Sequence, residues 1–103
     1  MRTEKEMLEV LSKVNTVYSQ GYISTLGGKD RASASFTFCL EPKEDWVNGI
    51  LENSDNYFKV HWLATGELQY ISGPIRLRKT KAETADQAAT KIIKAIAKHK
   101  ETK

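Results

Sequence analysis

The sequence has one cysteine, two prolines, two histidines and no long hydrophobic run. A single cysteine excludes an internal disulfide framework and any cysteine-rich zinc module, and it points to a reducing compartment. No stretch approaches the roughly 18 apolar residues that a membrane span needs, so no membrane partner is expected. The amino terminus, Met1-Arg2-Thr3-Glu4-Lys5-Glu6, is mixed in charge where a signal peptide would be basic and then apolar. A cytoplasmic location is therefore the expectation. Two histidines without His-x-x-Glu or His-x-His spacing leave no expected metal site, and no motif implies a cofactor. Internal repeats, low-complexity tracts and linkers are missing as well. At about 100 to 150 residues per domain, residues 1–103 read as a single domain with room for one core.

What is present is charge, unevenly placed. The formal net charge of +3 conceals a division: residues 1–70 carry seven basic and ten acidic side chains, whereas residues 71–103 carry nine basic and three acidic. A net +6 final third attached to a net −3 body calls for an anionic partner, either nucleic acid or an acidic protein surface.

Helix signals stand at both ends. Thr3 and Glu6 have the spacing of a capping box, and Met7, Leu11, Val14 and Tyr18 follow as an apolar stripe. This predicts a helix over about 4–19, with Gly21 as its stop. Thr84 and Gln87 form a second capping box. From there Ala85, Ala89, Ile92, Ile96 and His99 line one side of a last helix and Lys91, Lys94 and Lys98 the other, with basic residues at its end.

Strand signals fill the middle. Tyr22–Leu26 and 33–40 flank the turn cluster Gly27–Arg31, and 33–40 alternates Ala34, Phe36, Phe38 and Leu40 with Ser33, Ser35, Thr37 and Cys39. Pro42, Trp46, Val47, Ile50 and Leu51 outline a short helical crossover over 42–51, and Asn53–Asn56 a turn. Tyr57–Leu63 and Leu68–Ser72 form a hairpin around residues 64–67. If Leu63 opposes Leu68, His61 faces Tyr70 and Lys59 faces Ser72, with Phe58, Val60, Trp62 and Ile71 on the reverse side. Gly73-Pro74 should bulge or interrupt the strand, and Ile75–Lys79 should continue it, Ile75 and Leu77 opposite Arg76 and Arg78.

The predicted fold class is α+β, an antiparallel β-sheet of about four or five strands with the N- and C-terminal helices packed on one face, in the order α-β-β-(short α)-β-β-α. The opposite face would then be open. It would gather small hydroxyls, tyrosines, an imidazole and cations, groups suited to base stacking and phosphate contact. The candidate nucleic-acid-binding residues are Tyr57, Lys59, His61, Tyr70, Arg76, Arg78, Lys79 and Lys81. Exposed strands also carry such residues for β-propensity alone, and lysines solvate terminal helices. Cys39 and His61 would share the face, but no Asn or Asp orients them, so no nucleophilic pair is expected. Gly27-Gly28-Lys29 lies between strands and reads as a turn, not a phosphate loop.

The sequence thus reads as a small non-enzymatic nucleic-acid-binding module that uses an open sheet face and a basic C-terminal third. The alternative is a protein-interaction module, such as an accessory or inhibitory protein of a phage or mobile element. Either reading leaves room for a homodimer through a sheet edge or face.

Overall fold

The computed structural model describes residues 2–14, 16, 18–25, 28, 31–39 and 57–101. The elements are α1 (Glu4–Lys13), β1 (Tyr18–Ser24), β2 (Ser33–Cys39), β3 (Tyr57–Trp62), β4 (Glu67–Ser72), β5 (Thr80–Lys81) and α2 (Ala85–Glu101). All neighbouring strands are antiparallel and stand in the sheet in chain order, β1-β2-β3-β4-β5. The fold is therefore α+β, with both helices contributing to one core on one face of the sheet. The predicted crossover at 42–51, the turn at 53–56 and Leu40 lie outside the described residues.

α1 begins where its capping box places it. The Glu6 N–H donates to Thr3 Oγ1 at 3.2 Å, and the Thr3 N–H donates to Glu6 Oε1 at 3.0 Å. It ends earlier than the predicted residue 19, because Val14 already has extended dihedrals (φ −91°, ψ 100°). Beyond it the chain is β-branched and aromatic, and Tyr18–Ser24 gains a full ladder with β2, from Tyr18 opposite Cys39 to Ser24 opposite Ser33. Gly21 is thus no helix stop. It sits in mid-strand opposite Phe36, beneath α1.

The core is aromatic at its centre. Phe36, Phe38, Phe58, Val60 and Trp62 alternate inward along β2 and β3 and are buried almost completely. Phe36 and Phe38 stack with centroids 5.8 Å apart, and Phe38 meets Phe58 across the strands at 5.6 Å. Trp62 satisfies its indole by donating Nε1–H to the Ala82 carbonyl at 2.8 Å, which ties β3 to the approach of α2. The Arg2 guanidinium lies 4.2 Å from the Trp62 ring centroid, a cation–π contact. From above, Met7, Val10 and Val14 of α1 and Ala85, Ala88, Ala89, Ile92 and Ile96 of α2 close the core.

α2 follows its cap closely. The Gln87 N–H donates to Thr84 Oγ1 at 3.2 Å, and the Gln87 side chain accepts from the Glu83 N–H at 2.8 Å, one residue further back than a standard box. Lys13 at the end of α1 pairs with Asp86 in the first turn of α2 and fixes which flank of α1 faces α2.

Candidate functional site

The β3–β4 hairpin decides which side chains share a surface, and its register differs from the predicted one. The Leu63 N–H donates to the Glu67 carbonyl at 2.8 Å, so the loop has three residues, 64–66, where four were expected. Trp62 then opposes Leu68, His61 opposes Gln69, and Val60 opposes Tyr70. A one-residue slip exchanges the faces of a strand. Leu68 is accordingly buried in the core, while Ile71, expected inside, is 43% exposed. A bulge between Lys59 and Val60 on one strand and Ser72 and Tyr70 on the other leaves Ile71 as the extra residue and restores Lys59 opposite Ser72.

The sheet face away from the helices therefore holds fewer of the candidate residues than expected. Tyr57, Lys59 and His61 alternate onto it along β3, and a row runs across four strands: Tyr22 opposite Ser35, Ser35 opposite His61, His61 opposite Gln69. Tyr22 is 58% exposed, whereas Ser35, flanked by the two larger rings, is buried and its hydroxyl makes no hydrogen bond. Partial burial lowers the His61 pKa below the ordinary 6.5, because the desolvated imidazolium is disfavoured. At neutral pH His61 is thus a neutral donor and acceptor, and Lys59 is the one cation on the three β3 positions of this face. Cys39 is buried and opposes Tyr57, two cross-strand rows from His61, so the thiol and the imidazole do not meet.

Tyr70 lies on the other side. It shares a face with buried Val60, donates its hydroxyl hydrogen to the Gly73 carbonyl, and has the Arg76 guanidinium 5.5 Å from its ring centroid. Its ring lies against an arginine and not on the open sheet face.

Residues 73–79 do not continue β4 as predicted. Gly73 has φ +115°, and a β-carbon there would stand 2.5 Å from the Tyr57 carbonyl oxygen and 2.7 Å from Phe58 Cα, so the chain turns tightly against β3 at a position that only glycine fits. Pro74 supplies no N–H for a ladder. The alternation survives without the strand: Ile75 is buried and Leu77 partly so, while Arg76 and Arg78 are exposed.

This segment runs alongside α2 and forms a groove with it. Two adjoining hollows of about 380 and 230 Å³ share Arg76, Leu77, Arg78, Ala95 and Lys98; Lys91 and Lys94 line one of them, Pro74 and His99 the other. No carboxylate is among these described lining residues. Lys91 is held in place by donating to Thr80 Oγ1 at 2.7 Å and to the Lys81 carbonyl. Arg76, Arg78, Lys94 and Lys98 are exposed over a floor of Leu77 and Ala95. The helix lysines thus meet the arginines at the rim of the fold and not on the sheet face. Neither stretch alone signalled this; only the i, i+3, i+7 spacing of Lys91, Lys94 and Lys98 hinted at a shared helix face.

Lys79 and Lys81 form a different group at the β4–β5 edge. Lys81 opposes Glu67 in the ladder, and Lys79 Nζ lies 3.9 Å from Glu67 Oε1, so a carboxylate pairs with Lys79 and neighbours Lys81.

Among the described residues no cluster of three potential metal ligands occurs, and no helix is long and apolar enough to cross a membrane. No protein-family model, curated protein or solved structure matches the chain.

Proposed function

We propose that the protein is a small non-enzymatic nucleic-acid-binding module whose phosphate-binding surface is the groove between residues 74–80 and α2. The observation that carries this reading is the convergence of Arg76, Arg78, Lys94 and Lys98 on one groove without a lining carboxylate. Phosphates along a nucleic-acid backbone bind such a row of cations by releasing condensed counterions, which gives affinity without sequence readout. Guanidinium groups add bidentate contact with phosphate oxygens. Tyr70 supports the arrangement by holding Arg76 over its ring.

The open sheet face supplies a second contact zone through Tyr57, Lys59 and His61, with exposed Tyr22 in place of Tyr70 as the additional ring. A protein-interaction role draws on the same face, since exposed Tyr22 and Ile71 accompany a single β3 cation there.

Titration of fluorescent single-stranded and duplex oligonucleotides at about 50 mM salt, where phosphate contacts are strongest, tests the proposal. Binding that weakens with salt and is lost in an Arg76→Gln, Arg78→Gln, Lys94→Gln, Lys98→Gln variant of unchanged fold supports it. Absence of binding to every oligonucleotide at that salt overturns it.

A further inference from the structure

The two walls of the cationic groove are bridged by a lysine. Lys94 and Lys98 are exposed on the helix wall, whereas Lys91 is half-buried. Its ammonium crosses to the other wall, where it donates to Thr80 Oγ1 at 2.7 Å and to the Lys81 carbonyl. Lys91 and Thr80 both line the hollow that Arg76, Arg78, Lys94 and Lys98 share. An ammonium has three N–H donors, so two of the three are already engaged within the protein.

The wall that carries the arginines depends on ties of this kind. No strand forms between Ser72 and Thr80, so the chain that carries Arg76 and Arg78 has no ladder of its own. It is anchored at its two ends. At one end the Gly73 carbonyl accepts from the Tyr70 hydroxyl; at the other Thr80 and Lys81 pair with Leu68 and Glu67. That second anchor, β5, is two residues long, and the Lys91 bridge lands on both of them. Arg76, Arg78 and Thr80 also alternate onto one side of the wall while Ile75 and Leu77 turn inward. A donor that holds the Thr80 hydroxyl therefore holds the end of the row to which both arginines belong. On α2 the same lysine begins the row that Lys94 and Lys98 continue at i+3 and i+7. The two rows of cations are joined at this point.

Resting on the nucleic-acid reading above, we infer that Lys91 is the positioning residue of the phosphate groove. It makes no phosphate contact of its own, and it holds the arginine row and the lysine row at a separation that one phosphate backbone spans. The alternative role, that of a fifth phosphate ligand, predicts an opposite response when the acceptor on the far wall is removed. A ligand freed from Thr80 would reach phosphate more readily, and binding would tighten. A positioning residue deprived of Thr80 lets the walls part, and binding weakens although no charge has changed.

Fluorescence anisotropy with single-stranded and duplex oligonucleotides at about 50 mM salt tests this on the full chain. Thr80→Val and Thr80→Ala each remove the acceptor, and Lys91→Met keeps the aliphatic stem and removes the donor; circular dichroism checks each fold. Each variant is expected to bind about threefold to tenfold more weakly than wild type, and Lys91→Met combined with Thr80→Val no more weakly than Lys91→Met alone, because the two partners act through one bridge. In Lys91→Met without nucleic acid, the Thr80 and Lys81 amides should exchange hydrogen faster than in wild type. Unchanged or tighter binding by both Thr80 variants overturns the inference, as do additive losses in the double variant or unchanged exchange at β5, and in each case the groove remains the binding surface. A wild-type chain that binds no oligonucleotide overturns the nucleic-acid reading itself, and the role of Lys91 with it.

Discussion

Gly21 lies directly beneath Met7: a β-carbon on Gly21 would stand 3.0 Å from both Met7 Cγ and Met7 Sδ, and 3.3 Å from Leu11 Cδ1. The glycine in mid-strand is what lets α1 settle onto β1. Alanine there asks a flexible methionine to give by a few tenths of an ångström. Valine adds two further methyl groups where Met7 is already buried. Gly21→Val is therefore expected to lower unfolding stability by about 1 to 3 kcal/mol despite its better β-propensity, as read from denaturant melts. An unchanged or raised midpoint would show that α1 does not rest on this strand.

Ser35 is buried between Tyr22 and His61 with its hydroxyl unbonded, although serine on an alternating strand is normally a solvated residue. Burial of a hydroxyl without a partner costs free energy that alanine does not incur. Ser35→Ala should be neutral or stabilising by up to about 1 kcal/mol, in contrast to Thr3→Ala, which removes a made cap and should cost about 1 kcal/mol. Thermal melts of the two variants give the comparison. A marked loss in Ser35→Ala would mean that the hydroxyl is engaged.

These positions also show which parts of the fold were legible. The start of α1 could be read because Thr3 and Glu6 act on adjacent backbone groups, and the inward set Ala34, Phe36, Phe38, Phe58, Val60 and Trp62 because strand alternation is local. The end of α1 could not, since Met7, Leu11, Val14 and Tyr18 keep helical spacing while the pairing of Tyr18 with Cys39, which overrides it, depends on a distant strand. Tyr70 was misplaced through a single residue of loop length at 64–66. The groove was hidden more deeply: Arg76 and Arg78 are brought to Lys94 and Lys98 by the packing of Ile75 and Leu77 and by the turn at Gly73, none of which leaves a spacing pattern.

His61 gives a pH dependence of definite sign. Its folded-state pKa lies below 6.5 through desolvation, so in the unfolded chain the imidazole takes up its proton first as the pH falls. Between about pH 6.5 and the lower folded value the unfolded state binds more protons, and stability rises with pH. The contribution is fully present above 6.5 and is lost as the pH falls through that window. In His61→Gln the slope of unfolding free energy against pH over this window should diminish, measured by denaturant titration at pH steps. An equal slope in both proteins would place the titrating group elsewhere. Because His61 is neutral at pH 7, the salt dependence of oligonucleotide binding at that pH should change little in the same variant.

Charge removal should separate the groove from the β4–β5 edge. If Arg76, Arg78, Lys94 and Lys98 each approach a phosphate, the slope of log K against log salt on duplex DNA should be about −3 to −4. Arg78→Gln and Lys94→Gln should each reduce its magnitude by about 1 while leaving sequence preference unaltered. Lys79→Gln and Lys81→Gln also remove exposed cations, yet Lys79 pairs with Glu67 and Lys81 stands opposite it in the ladder, so a carboxylate lies close to both. Their effect on the slope should be less than half as large. Glu67→Gln, which frees those two lysines, should tighten binding at low salt, by an amount that salt then screens away. Fluorescence anisotropy across a salt series distinguishes the two groups. Equal slopes lost at both would spread the phosphate contact over the whole basic third, and a larger loss at Lys79 and Lys81 would move it from the groove to the sheet edge.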